Sequence, residues 1–131
     1  MNILILDDSA AARLDITMAL KDFDPSVNIL EAANVEEAVT LIRDHAIDVA
    51  FVDLCMPDRI NGADFIVDCL KANKDTREIP VIVVSRVSER SVIKRAIEGL
   101  AYKFISKPVD PSELKTILKT LFNTKLNGVL T

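Results

Sequence analysis

Five short apolar runs, separated by segments of helical periodicity, constrain the fold of this 131-residue chain more than any other feature. The runs are Ile3–Leu6, Val27–Leu30, Val49–Val52, Val81–Val84 and Phe104–Ile105. Each run is continuously apolar and does not alternate between apolar and polar residues. This pattern is typical of strands that are buried on both faces of a parallel sheet, so we predict five parallel strands.

Five segments with apolar residues three or four positions apart predict five helices, each packing one face on the sheet. The apolar positions are Ala12, Ile16, Ala19, Leu20 and Phe23; Val35, Ala38, Val39 and Ile42; Phe65, Ile66, Cys69 and Leu70; Ile93, Ala96, Ile97 and Leu100; and Leu114, Ile117, Leu118, Leu121 and Phe122. Because crossover connections between parallel strands are right-handed, the alternation predicts a doubly wound α/β sandwich. We expect one domain over residues 1–126 and a short tail over residues 127–131.

Composition argues against several classes of function. The net charge of −4 argues against the basic patch of a nucleic-acid-binding protein. Cys55 and Cys69 are too few for a disulfide framework and have no nearby histidine, which favours a reducing compartment and excludes a zinc site of the usual spacing. The chain shows neither a signal peptide nor a membrane span, so we expect a cytoplasmic protein without membrane insertion.

Polar residues lie one or two positions after four of the five predicted strands. They are Asp7 and Asp8 after the first strand, Asp53 after the third, Ser85 after the fourth and Lys107 after the fifth. The carboxyl ends of parallel strands lie at the same edge of a sheet. If strand 2 lies outside strand 1, these three carboxylates, one hydroxyl and one ammonium group converge on a single crevice.

Three neighbouring carboxylates repel one another, and each pair at about 4 Å costs roughly 4 kcal/mol at an effective dielectric constant of about 20. Such a cluster binds protons or a cation, and a set of oxygen ligands favours Mg²⁺ that retains several waters. The metal and Lys107 would together neutralise a phosphate group. A carboxylate can then attack a phosphoryl donor and form an acyl phosphate. The alternative, a scattered set of solvated acids, remains open at this point.

Four motifs, in this order and with the five-fold alternation between them, resemble the receiver domain of two-component response regulators. They are Ile-Leu-Asp-Asp-Ser at 5–9, Val-Asp-Leu-Cys-Met-Pro at 52–57, Val-Ser at 84–85 and Phe-Ile-Ser-Lys-Pro at 104–108. The resemblance covers residues 2–125 and is to the single-domain, chemotaxis-regulator-like form. It implies a flavodoxin-like sheet with the strand order 2-1-3-4-5.

The resemblance also implies the roles of the acidic residues. Asp53 looks like the phospho-acceptor, which takes its phosphoryl group from a histidine kinase or a histidine phosphotransfer protein. Asp8, Asp53 and the main-chain carbonyl of Cys55 look like ligands of Mg²⁺, with Asp7 bound through a water molecule.

The remaining motif residues look like a conformational switch. Ser85 and Phe104 fall where the family has its switch hydroxyl and switch aromatic. Lys107 falls where the family has a lysine that contacts the phosphoryl group and precedes a cis proline. The resemblance implies that the face formed by the fourth helix, fifth strand and fifth helix then recruits a downstream effector protein.

The sequence departs from the family pattern at two places. The loop 56–62 is one residue longer than usual, which is expected to affect docking of the phosphodonor. Arg86 stands where the family commonly has a small residue. The side chain of Arg86 either points to solvent or modulates the site, and under the second interpretation we hypothesise that it slows access of the attacking water.

We therefore expect a signalling switch that is not an enzyme, apart from its own autophosphorylation and autodephosphorylation at Asp53. One alternative is a small Mg²⁺-dependent aspartyl-phosphate phosphatase, which would need a second acid where Cys55 stands. A flavin or nucleotide module on the same fold and a phosphorylation-independent interaction domain are further alternatives. We expect a monomer or a weak homodimer, the latter through the face of the fourth helix, fifth strand and fifth helix. The apolar residues Leu126, Val129 and Leu130 extend this face at one end.

Overall fold

The computed structural model describes residues 1–54, 62–86 and 99–130, with Ala63 and residues 123–130 described by their backbone alone. The strands are β1 (Asn2–Leu6), β2 (Asn28–Ala32), β3 (Val49–Asp53), β4 (Val81–Ser85) and β5 (Lys103–Ser106). The helices are α1 (Ala10–Phe23), α2 (Val35–Asp44), α3 (Gly62–Asp64, continued by a π-helix over Phe65–Lys71) and the C-terminal helix (Pro111–Leu130). Most of the predicted fourth helix lies outside the described residues.

The five strands form one parallel sheet in the order β2-β1-β3-β4-β5, so the predicted strand order is confirmed. All residues of β3 and β4 are buried, whereas the outer strand β2 is largely half-buried or exposed. This gradient explains why the central strands appear in the sequence as continuous apolar runs. It also places the ends of β1 and β3 side by side at the centre of the carboxyl edge.

Side chains that alternate along the strands divide the core into two layers, one on each face of the sheet. Leu4, Ala50, Val52 and Val83 pack with residues of α2 and α3. Ile3, Ile5, Phe51, Val84 and their neighbours pack with residues of α1 and the C-terminal helix. Helices therefore cover both faces, and the predicted doubly wound architecture is confirmed.

The third helix differs from the regular helix that the periodicity predicts. Its second part is a π-helix over Phe65–Lys71, and the amide of Ala72 donates to the carbonyl of Val67, five residues back, at 3.1 Å. A wider turn places residues four and five positions apart on one face. Ile66 and Leu70, together with Phe65, are consequently all fully buried.

The C-terminal helix continues to Leu130, so residues 127–130 are helical where we expect a tail. The domain boundary itself stays a prediction. Within the described residues, no helix has the length and apolarity needed to cross a membrane.

Candidate functional site

The turn after β1 holds Asp7 and Asp8 at the carboxyl edge of the sheet. The amide of Asp7 donates to the carbonyl of Ala32 at 3.1 Å, which extends the pairing between β1 and β2 by one residue. The Oδ1 atom of Asp7 accepts a hydrogen bond from the amide of Ser9 at 2.9 Å, and Ser9 in turn caps α1. Asp7 is therefore rigidly held and only 1% exposed, while the adjacent Asp8 is exposed.

Asp53 is the last residue of β3 and pairs with Val84 of β4. Its side chain is buried at the centre of the edge. Gly62, at the start of α3, lies directly against the main-chain carbonyl of Asp53, and a Cβ atom at this position would overlap that carbonyl. Glycine is thus required where α3 approaches the strand that carries Asp53.

The strand order brings three carboxylates and one ammonium group together. Asp7, Asp8 and Asp53 each offer a carboxylate oxygen, and these atoms all lie within 4.8 Å of one another. The Nζ atom of Lys107 lies 2.8 Å from Asp7 Oδ2 and 3.3 Å from Asp53 Oδ2. Among the residues that the structure describes, Lys107 is paired with two of these three acids, so the group carries more negative than positive charge.

The surroundings of Lys107 keep it protonated. Burial by itself lowers the pKa of Lys107, but the close contact with Asp7 and the negative charge of Asp53 outweigh it and raise the pKa above its usual 10.5. The amide of Lys107 donates to the carbonyl of Ser85 at 2.9 Å, and the peptide bond to Pro108 is cis, as the resemblance implies. Because its pKa is raised, Lys107 carries a positive charge at neutral pH.

The acidic group fits a hard divalent cation. Asp7 Oδ2 is buried, and among the described residues it has no well-directed hydrogen-bond donor, although Lys107 approaches it closely. Buried acceptors of this kind usually have a partner, and carboxylate oxygens are the ligands that Mg²⁺ prefers. Cys55, whose main-chain carbonyl we predict as a further ligand, lies outside the described residues.

The other candidate residues lie at the end of β4 and on β5. Ser85 is buried at the end of β4, and its hydroxyl donates to the carbonyl of Arg86 at 3.3 Å. Phe104 is partly buried on β5 and packs against the core layer of α2 and α3. Arg86 is exposed, and its role stays a prediction. Most of the longer loop, residues 55–61, lies outside the described residues.

Two residues near the site were missed by the sequence analysis, Gly62 and Arg13. The guanidinium group of Arg13 donates to the main-chain carbonyl of Asp7 at 2.6 Å and pairs with Glu31 at 3.1 Å. The sequence carries no specific signal for Arg13, because its partner is a main-chain carbonyl. For Gly62 the signal was a glycine at the start of an amphipathic segment.

Comparison with known proteins agrees with this fold. Residues 3–119 match the family model of the response regulator receiver domain. The chemotaxis protein CheY of Thermotoga maritima is 32% identical over 115 residues, which cover 86% of this chain and 89% of that protein. The protein-glutamate methylesterase/protein-glutamine glutaminase 1 of Myxococcus xanthus is 35% identical over 113 residues, 86% of this chain and 31% of that protein. The chain therefore spans about a third of the length of the first relatives it matches.

A solved structure shows the same relationship. The receiver domain of AraT, a response regulator from Geobacillus stearothermophilus, superposes with a TM-score of 0.80 at 30% identity, covering 99% of this chain and 98% of that one. Receiver domains interact with histidine kinases and downstream effectors, and they generally signal and do not act as enzymes. On the evidence of its strand order, its acidic edge and these relatives, the chain belongs to the response regulator receiver domain family.

Proposed function

We propose that this domain accepts a phosphoryl group on Asp53 from a histidine kinase or a histidine phosphotransfer protein. The observation that carries the proposal is the position of Asp53, a buried carboxylate 3.3 Å from the ammonium group of Lys107 and within 4.8 Å of Asp7 and Asp8. A carboxylate oxygen of Asp53 attacks phosphorus, the phosphorus–nitrogen bond of the donor breaks, and the imidazole leaves with the electron pair. The product is an acyl phosphate.

The charges around Asp53 favour this transfer. Asp8, Asp53 and the carbonyl of Cys55 would hold Mg²⁺ directly, and Asp7 would hold it through water. When bound, the ion would supply positive charge toward the phosphoryl oxygens. Lys107 pairs with one phosphoryl oxygen, because it is protonated and already lies beside Asp53. Attack of water on the same phosphorus breaks its bond to the carboxylate oxygen, which regenerates Asp53 and releases inorganic phosphate. Both reactions take place on the domain's own residue.

We further propose that Ser85 and Phe104 transmit the change. The hydroxyl of Ser85 has a long hydrogen bond to a neighbouring carbonyl, which it can exchange for a phosphoryl oxygen. A phosphoryl group shifts a two-state element only through contacts that differ between the states, and this exchange is such a contact. Phe104 then turns inward and the face that includes β5 and the C-terminal helix recruits an effector protein.

Other functions of the same fold are less well supported. Family membership does not favour a small aspartyl-phosphate phosphatase, and the position that would hold its second acid is Cys55. We place the signalling reaction in the cytoplasm, as the cysteine content predicts.

Intact-mass measurement tests the proposal. The protein is incubated with Mg²⁺ and acetyl phosphate, and in parallel with a phosphorylated histidine phosphotransfer protein. One added phosphoryl group is expected in the wild type and in Asp44→Asn, a matched change at an exposed acid of α2, and none in Asp53→Asn. Absence of an adduct with both donors would show that the domain is not a phospho-acceptor.

A further inference from the structure

The side chain of Arg13 connects three parts of the fold. It leaves the first turn of α1, donates from Nη1 to the carbonyl of Asp7 at 2.6 Å, and pairs through Nε with Glu31 of β2 at 3.1 Å. The side chain of Arg13 is 16% exposed, whereas that of Glu31 is 49% exposed. Arg13 is therefore largely buried, and its ion pair with the more exposed Glu31 fixes its guanidinium group.

Arg13 binds the carbonyl oxygen of Asp7, which belongs to the peptide bond between the two acidic residues of the turn. The carbonyl of Asp7 and the amide of Asp8 belong to one planar peptide unit, so a contact that fixes the carbonyl oxygen fixes the whole unit. The orientation of that peptide unit determines the position of Asp8. The carboxylate of Asp8 itself has no hydrogen bond or ion pair with the described residues.

We propose that Arg13 is a positioning residue of the cation site, which holds the peptide unit between Asp7 and Asp8 so that Asp8 faces Asp53. The inference rests on the proposed function, because it concerns the Mg²⁺ that this site would bind. Asp7 is independently fixed through its amide, its Oδ1 atom and Lys107. The orientation of Asp8 is therefore the property that depends on Arg13.

The sign of the effect separates positioning from simple electrostatics. A positive charge near an acidic site repels a divalent cation, so loss of Arg13 would tighten Mg²⁺ binding if charge alone mattered. If Arg13 positions Asp8, its loss weakens binding. Substitution of residues that orient metal ligands without binding the metal themselves typically lowers metal affinity by about 10- to 100-fold. We expect the lower end, about tenfold, for the loss of one hydrogen bond to a main-chain oxygen.

Isothermal titration calorimetry with Mg²⁺ tests this inference. Arg13→Met keeps the packing of the stem and removes the donor, and we expect about tenfold weaker binding. Arg13→Lys restores most of the affinity, because an ammonium group can reach the same carbonyl. Arg43→Met, the same change of charge at an exposed arginine of α2, is the control and binds as the wild type does.

A second readout excludes a merely structural role. With acetyl phosphate as donor, the Mg²⁺ concentration for half-maximal phosphorylation of Asp53 rises about tenfold in Arg13→Met, while the rate at saturating Mg²⁺ is unchanged. A general loss of structure would instead lower the melting temperature and leave the affinity of the folded protein unaltered.

The outcomes are distinct. Unchanged or tighter Mg²⁺ binding by Arg13→Met would overturn the inference while leaving the proposed function intact. A wild type that binds no Mg²⁺ would contradict the proposed cation site itself. If Arg13→Met does not fold, Glu31→Met, which removes the ion-pair partner of Arg13, must weaken Mg²⁺ binding more than Glu36→Met, the same change of charge at an exposed residue of α2. Equal affinities in these two variants would refute the positioning role.

Discussion

Lys107 illustrates how a single residue acquires its chemistry from its neighbours. The same ammonium group contacts Asp7 and Asp53, two buried carboxylates that follow different strands of the sheet. Lys107 therefore offsets the negative charge of both acids. The residue is thus important to the stability of the free domain as well as to the proposed reaction.

We expect Lys107 to stabilise the fold in a pH-dependent manner. Its pKa is raised in the folded state, so its contribution is fully present below the unfolded pKa of about 10.5 and is lost as the pH rises through the folded pKa. Urea unfolding of the wild type and Lys107→Met should therefore differ by a constant free energy through the neutral range, and the difference should shrink above pH 10.5. A difference that grows at high pH would contradict this assignment.

Residues of the site differ in how well a sequence predicts them. The convergence of Asp7, Asp8, Asp53 and Lys107 could be anticipated, because each follows a strand and parallel strands end at one edge. Arg13 could not be found in this way. Its partner is a main-chain carbonyl, a group that every residue carries and that no side-chain pattern reveals.

At the scale of elements, the approach of α3 to β3 positions Asp53. Gly62 touches the main chain of Asp53, and the π-helical turns that follow bury Phe65, Ile66 and Leu70 in one core layer. The sequence predicted a helix here but not its type. The π-helix is seven residues long. Over that length, the 3.6-residue period of an α-helix and the wider period of a π-helix place nearly the same residues on the apolar face.

Two glycine substitutions should separate steric from conformational constraint. Gly62→Ala forces a Cβ atom into the Asp53 carbonyl and should destabilise the domain by about 2 kcal/mol or more and slow phosphorylation of Asp53. Gly99→Ala meets open space but has a φ of +87°, so it should cost about 1 kcal/mol and leave phosphorylation unchanged. Asparagine, which tolerates positive φ, should improve on alanine at residue 99 and not at residue 62. Urea unfolding measures both, and equal costs at the two sites would argue against the contact with Asp53.

At the scale of the whole molecule, the site is a point of concentrated negative charge in a domain of net charge −4. A ligand that binds the folded state and not the unfolded chain stabilises the entire domain by mass action. Stability is therefore a direct measure of site occupancy, independent of any phosphodonor.

We expect Mg²⁺ at about 100 times its dissociation constant to stabilise the domain by roughly 2.7 kcal/mol and raise the melting temperature by about 10 °C. Asp8→Asn should melt higher than the wild type without Mg²⁺, since one repulsive charge is removed, and should respond little to the ion. NaCl at the same ionic strength is the control. An equal response to Mg²⁺ in the wild type and Asp8→Asn would place the ion elsewhere.

The order of the strands makes the site dependent on complete folding of the domain. The acids at residues 7, 8 and 53 and the ammonium group at 107 follow β1, β3 and β5, so they meet when these strands are assembled in one sheet. A chain from which the edge strand β5 has detached keeps the same residues but separates Lys107 from the acids. The proposed phosphoryl transfer therefore requires a completely folded domain.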